Sequence, residues 1–232
     1  MIFNFKQFSV AQDKCAMKVG TDGTLLGSWT KANNPQKILD IGTGTGLIAM
    51  MMAQRFPNAQ IKAIEIDVNA SQQASENFQN TKWSNRLSVE QVSLQEFQHP
   101  SPFDLIVSNP PYFENNLKAN TKQRTLARHN DTLSFETLIE CSAKLLNKNG
   151  SITIIIPSES KSKVEKIAQT NQLHLNRLCW VKGTEKKAVK RAVIQFSFQE
   201  KSLEESTLII EKERHVYTKE YTSFCKDFYL KM

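Results

Sequence analysis

Cysteine is scarce: the 232 residues hold four, Cys15, Cys141, Cys179 and Cys225, with no CxxC pair among them. That spacing excludes a zinc-ribbon site and a disulfide framework, fits a reducing cytoplasm, and leaves each thiol to be read as a structural group. Four histidines, His99, His129, His174 and His215, show no ligand spacing, so no metal is expected. Glycine and proline are sparse too, 8 and 7 residues, against 40% hydrophobic and 23% charged residues. This composition excludes a collagen-like, low-complexity or wholly disordered chain and predicts a compact globular protein. No apolar run approaches the roughly 20 residues that cross a bilayer, and the N-terminus has no basic stretch leading into an apolar one. Neither a membrane span nor a secretion signal is expected.

Positive charge is in surplus. Thirty Lys and Arg against 23 Asp and Glu give +7, which makes a polyanion such as RNA or DNA a credible partner if the surplus is clustered. Two places carry it. Stretch 113–134 has Lys118, Lys122, Arg124 and Arg128 against Glu114 and Asp131, an excess of two, and lacks periodicity over a length that in a compact domain is usually functional or disordered. Near the C-terminus Lys182, Lys186, Lys187, Lys190 and Arg191 stand against Glu185, an excess of four. Both elements can flank one edge of a sheet and meet phosphates.

Short β-branched runs alternate with helical patterns, which predicts an α/β fold with a mostly parallel sheet and helices on both faces. Strands are expected at 38–41, 60–66, 87–92, 103–108, 151–156, 173–181 and 189–198, and helices at 46–55, 68–79, 135–146 and 158–169. The last two strands are joined by a segment too short for a helical crossover, so they read as an antiparallel hairpin after five parallel strands. Residues 1–37 read as an extension packed on a core domain of 38–232, with a helix at 23–31 capped by Asp22. No amphipathic segment is left over for a partner subunit, and a monomer is expected.

Chemistry enters at two strand ends. The first core strand, 38–41, carries Asp40 two positions before Gly42-Thr43-Gly44-Thr45-Gly46, which opens a helix, so three glycines form a turn where the backbone approaches a ligand. The spacing is not that of dinucleotide-binding loops, and Asp40 suits a ligand bearing a cationic amine more than a pyrophosphate. Glu65, about twenty residues on, ends the second strand, where a carboxylate can accept from both ribose hydroxyls. Together these point to S-adenosylmethionine. The strand 103–108 then stops in Asn109-Pro110-Pro111-Tyr112, because neither proline can donate to a ladder. Asn109, held extended by the following proline, can aim its amide oxygen, with the Pro110 carbonyl, at the two hydrogens of a planar amino group. Tyr112 offers a face on which the ring bearing that group stacks.

These motifs resemble those of class I S-adenosylmethionine-dependent methyltransferases acting on exocyclic or amide nitrogens. With Met17-Lys18-Val19-Gly20-Thr21-Asp22-Gly23, Arg128-His129, Lys190-Arg191, Tyr221 and Asp227-Phe228-Tyr229-Leu230 added, nearly the whole chain is similar to the bacterial methyltransferase family that modifies adenosine 37 of a valine tRNA. The resemblance implies a Rossmann-like fold, S-adenosylhomocysteine as product, tRNA as partner, and methylation of the adenine amino nitrogen. It implies cofactor contacts at Asp22, Asp40, Gly42, Thr43, Gly44, Gly46 and Glu65, and catalysis at Asn109, Pro110, Pro111 and Tyr112. RNA contacts fall to Lys18, Arg124, Arg128, His129, Lys186, Lys187, Lys190 and Arg191. Where many relatives carry an acidic residue for the cofactor adenine, this chain has Ser93. A protein glutamine amide methyltransferase is the rival, though such enzymes carry a helical domain before the glycine loop and only 37 residues precede the first core strand here. A DNA adenine methyltransferase is disfavoured because no segment of this chain looks large enough for a separate sequence-recognition domain, and a non-catalytic RNA-binding protein would not need Asn109 and Tyr112.

Overall fold

The computed structural model describes residues 1–111 and 133–232. Tyr112, Arg124, Arg128 and His129 lie outside the described residues. The chain opens with a hairpin, β1 (Ile2–Asn4) and β2 (Ser9–Ala11), and a helix, α1 (Thr21–Trp29). Alternating units follow: β3 (Lys37–Ile41), α2 (Leu47–Arg55), β4 (Gln60–Glu65), α3 (Val68–Gln79), β5 (Leu87–Gln91) and β6 (Phe103–Ser108). Beyond residue 132 come α4 (Phe135–Leu145), β7 (Leu146–Pro157), α5 (Lys161–Thr170), β8 (His174–Thr184), β9 (Val189–Ser197), β10 (Glu204–Glu213), β11 (Val216–Tyr217) and α6 (Lys219–Cys225).

The main sheet runs β11-β10-β8-β9-β7-β6-β3-β4-β5. Its centre, β7 to β5, is parallel throughout; β9 inserts antiparallel between β7 and β8, and β8 and β10 pair in parallel. The α/β expectation therefore stands, and the count of seven strands does not. The described residues place nine strands in the main sheet and two in a separate hairpin. The hairpin read as the end of the sheet is followed by β10, whose residues are mostly exposed with only Leu208 fully buried, so its sequence carries little of the two-residue alternation that marks a strand.

Alternation does the sorting at the centre. Ile38, Leu105, Val107 and Ile155 face the layer of α1, α2 and α6, whereas Leu39, Ile41, Ile106 and Ile154 face α4 and α5. Helix α2 is buried on nearly every side, from Leu47 to Ala53, as an apolar-all-round helix must be. Close approach sets α1 against it: a Cβ on Gly27 would lie 2.5 Å from Met51 Sδ. The end of α1 is tied down further by Arg55, whose guanidinium donates to the Gly27 carbonyl at 2.6 Å. Helix α1 starts two residues before the expected position. Its N-cap is Gly20 rather than Asp22, which lies inside the first turn with its side chain directed elsewhere. Among the described residues no helix is long and apolar enough to cross a membrane.

Candidate active site

A cavity of about 1060 Å³ opens at the carboxyl ends of β3, β4, β5 and β6, the edge at which open α/β sheets place ligands. Its floor is the glycine turn after β3. Gly42, Gly44 and Gly46 have φ of +68°, +55° and +83°, the left-handed region that glycine enters without a Cβ penalty. The amides of Gly42 and Thr43 donate to the Ile64 carbonyl at 2.9 and 3.1 Å, stapling the turn to β4. A Cβ on Gly42 or Gly44 would meet no atom within 4 Å and would project into open space, while one on Gly46 would strike the Phe78 ring at 2.5 Å. The first two glycines thus keep a surface bare, and the third seats α2 against α3.

Glu65, at the end of β4, lines the cavity with both carboxylate oxygens engaged. Oε2 accepts from Gly44 N at 2.9 Å and Oε1 from Asp67 N at 3.0 Å. Each oxygen retains a second lone pair, so the carboxylate is aimed and still able to accept. Asp40 lies beneath the turn and is not part of the cavity wall. It is completely buried; its Oδ2 accepts from Thr43 Oγ1 at 2.6 Å and from Ala49 N at 3.1 Å, whereas its Oδ1 has no hydrogen-bond partner. Burial pushes its carboxyl up to about 7, against the Thr43 and Ala49 hydrogen bonds that favour the charge. A bare glycine cradle, an aimed carboxylate and an unmatched buried acceptor beneath them fit a nucleoside ligand with a cationic group.

Strand register brings the second motif to this turn. Ile41 of β3 pairs with Ser108 of β6, and Ser108 Oγ donates to the Ile41 carbonyl at 2.9 Å. Gly42 and Asn109, the next residue of each strand, therefore leave the sheet side by side. Asn109 and Pro111 line the cavity, and Pro110 is buried behind them. The Asn109 amide nitrogen lies 4.0 Å from the thioether of Met17, a residue of the segment before α1 that also lines the cavity. Met17 lies in the family-like stretch 17–23, and nothing in its local pattern marks a site residue.

The basic residues divide. Lys18 is exposed on the cavity wall. Lys186, Lys187 and Lys190 are exposed on the β8–β9 hairpin, away from the cavity lining. Arg191 lines the cavity instead, its Nε donating to Asp22 Oδ2 at 2.8 Å. On the opposite wall Ser93 Oγ donates to Glu96 Oε2 at 2.7 Å, and both residues line the cavity, so an acidic group stands one turn beyond the position where sequence reading sought it. Ile66, 56% exposed directly after Glu65, gives an apolar face on the same wall. Cys15 also borders the cavity, but burial and the Glu65 and Asp67 carboxylates push its thiol up to about 11, which keeps it protonated and unreactive.

Comparison with known proteins agrees with this geometry. Residues 15–175 match the family model described as Methyltransferase small domain. Among solved structures, a predicted O-methyltransferase from Agrobacterium tumefaciens superposes with a TM-score of 0.69 at 17% identity, over 89% of this chain and 96% of that one. A ribosomal protein L11 methylase from Lactobacillus delbrueckii subsp. bulgaricus gives a TM-score of 0.58 at 19% identity, over 81% and 83%. Both show the class I methyltransferase fold. Full-length relatives are far nearer in sequence. The protein named tRNA1(Val) (adenine(37)-N6)-methyltransferase in Flavobacterium psychrophilum is 50% identical over 100% of both chains, and its namesake in Pseudoalteromonas translucida is 46% identical over 99% of both. With a bare glycine cradle and an Asn-Pro-Pro strand end sharing one cavity, and with half of its residues matched along its entire length, the chain belongs to the tRNA1(Val) (adenine(37)-N6)-methyltransferase family.

Proposed function

We propose that this chain transfers the methyl group of S-adenosylmethionine to the exocyclic nitrogen of adenosine 37 in a valine tRNA, leaving S-adenosylhomocysteine. The observation that supports the reading is the Ile41–Ser108 register, which sets the glycine turn and Asn109 beside each other on one cavity. When bound, the cofactor supplies a methyl group already activated by its sulfonium. The chain therefore has to position and orient, and no strong general base is required.

Gly42, Thr43 and Gly44 present bare backbone to the cofactor, and the remaining lone pairs of Glu65 accept its ribose hydroxyls. Ile66 packs against its adenine, with the Ser93–Glu96 pair at the rim. Asp40 holds the cradle from below through Thr43 and Ala49 without touching the cofactor. Asn109 Oδ1 and the Pro110 carbonyl accept the two hydrogens of the target amine, turning its lone pair out of conjugation and toward the methyl group. Tyr112 supplies the stacking face for an extruded base, and Pro111 fixes the backbone between them. An anticodon loop releases a base at lower cost than a duplex does. Lys18, Arg124, Arg128, His129, Lys186, Lys187 and Lys190 are the candidate phosphate contacts.

The test is to incubate the purified protein with labelled cofactor and, separately, tRNA, total protein and DNA. Label in tRNA alone supports the reading. Label in protein glutamine or in DNA refutes it.

A further inference from the structure

The Asp22–Arg191 pair joins residues 169 positions apart, across α1 and β9, at a part of the cavity that neither the glycine turn nor Asn109 explains. Both side chains are about one-third exposed, 32% and 29%, so they are reachable from the cavity yet partly shielded from water. Arg191 faces Pro157 at the end of β7 in the β7–β9 ladder, and so stands at the same edge of the sheet as Gly42 and Asn109. Across that edge the order is β5, β4, β3, β6, β7, β9, so Glu65 and Arg191 stand on opposite sides of the glycine turn and Asn109.

A cofactor whose ribose lies on Glu65 and whose sulfur lies between the glycine turn and Asn109 directs its third part, the amino-acid tail, toward β7 and β9. That tail is a zwitterion, with an ammonium and a carboxylate on one carbon. The cavity wall is otherwise rich in acid, with Glu65, Asp67 and Glu96, and of its cations Lys14 is engaged by Glu76 at 2.6 Å. A free carboxylate entering there needs a cation on the wall. Lys18, fully on the surface, is a weaker one than a partly shielded guanidinium, which forms stronger charge-assisted and bidentate hydrogen bonds.

We propose that Asp22 and Arg191 form a dipolar clamp for the amino-acid tail of the cofactor, Arg191 meeting its carboxylate and Asp22 its ammonium, and that Arg191 is a cofactor residue instead of an RNA residue. The inference rests on the cofactor reading above. It also explains why Asp22 is not spent as a helix cap: its carboxylate is turned to β9, where it sets the plane of the guanidinium. Lys190, whose side chain is exposed on the outer side of the same strand, remains the candidate for RNA.

The test compares two probes, S-adenosylhomocysteine and 5′-methylthioadenosine, which share the nucleoside and the thioether while only the first has the amino-acid tail. Calorimetric titration of the wild-type protein should give tighter binding of S-adenosylhomocysteine. Arg191→Gln should weaken that ligand by about ten- to hundredfold, the range for hydrogen bonds to charged groups, and leave methylthioadenosine unchanged. Asp22→Asn should act in the same direction, and Arg191→Lys, which keeps the charge and loses the fork, should fall between; these two variants carry the test should Arg191→Gln fail to fold. Equal weakening of both probes would reduce the pair to a structural tie and overturn the proposal. Unchanged probe binding with a loss of tRNA affinity would return Arg191 to the RNA surface and overturn it as well. Should neither probe bind the wild-type protein, the cofactor reading itself fails, and the clamp with it.

Discussion

Asp40 lies within β3 and Asn109 directly after β6, the neighbouring strand, one buried beneath the glycine turn and one lining the cavity, and each is open to a single-residue test. Burial raises Asp40 from 3.8 to about 7, so between those pH values the folded protein binds a proton that the unfolded chain releases. Its contribution to stability is therefore intact below about pH 4, declines as the pH rises through this window and is lost above about pH 7. Asn at this position keeps an acceptor for Thr43 and Ala49 and never ionises. The stability of Asp40→Asn relative to wild type, by urea unfolding, should grow from pH 4 to pH 7 by on the order of 4 kcal/mol, and a pH-independent difference would contradict the buried carboxyl. Asn109→Ala is predicted to act on rate. Loss of an acceptor used most as the amine becomes tetrahedral costs about 2.7 to 4 kcal/mol, a hundred- to thousandfold fall in single-turnover methylation with little change in either ligand's affinity. A variant that methylates at the wild-type rate would remove Asn109 from the mechanism.

The glycine turn makes two opposite predictions within one element. Gly44→Val places a side chain in the cavity, where no protein atom opposes it, so the fold survives at about 1 to 2 kcal/mol for the left-handed backbone while cofactor binding is abolished. Gly46→Ala drives a methyl into Phe78 and should lower the melting temperature more than Gly44→Val does. Thermal melts alongside calorimetry separate the two; a Gly44 variant that binds normally would displace the cofactor from this turn. At this scale the sequence was most informative where patterns are local. The span 103–108 and the helix 68–79 coincide with β6 and α3, because a continuous apolar run stopped by two prolines, and a 3.6-residue stripe led by Asp67, whose carboxylate caps α3 by accepting from Ala70 N, each carry their own boundaries. What failed was set by neighbours far along the chain. Strand β10 is held by its ladder to β8 more than by its own alternation, and Asp22 was read as a cap because a carboxylate at a helix start is a local signal, whereas its partner lies on β9. The glycines, Glu65 and Asn109 were legible as motifs, but the Met17 contact and the cavity position of Arg191 come only from tertiary packing.

For the molecule as a whole, the +7 charge and the exposed lysines of the β8–β9 hairpin bear on how RNA is held. Each phosphate contact releases condensed counterions, so tRNA affinity should fall steeply with salt, and replacing Lys187 and Lys190 with Glu should lower the salt slope by about 1 per contact while leaving cofactor affinity unchanged. Filter binding across a salt series reads both; a variant with an unaltered slope would take the hairpin off the RNA surface. The cavity, the strand register and the full-length likeness to its family converge on one reaction. The measurement that bears on it most directly is nucleoside mass spectrometry of a valine tRNA transcript incubated with the purified protein and S-adenosylmethionine, with the modified position mapped by nuclease digestion. The account predicts N6-methyladenosine at position 37 with the wild-type protein and a hundred- to thousandfold slower appearance with Asn109→Ala. A methyl group on another atom or another nucleotide, or no methylation of a folded protein's tRNA substrate at all, would contradict it.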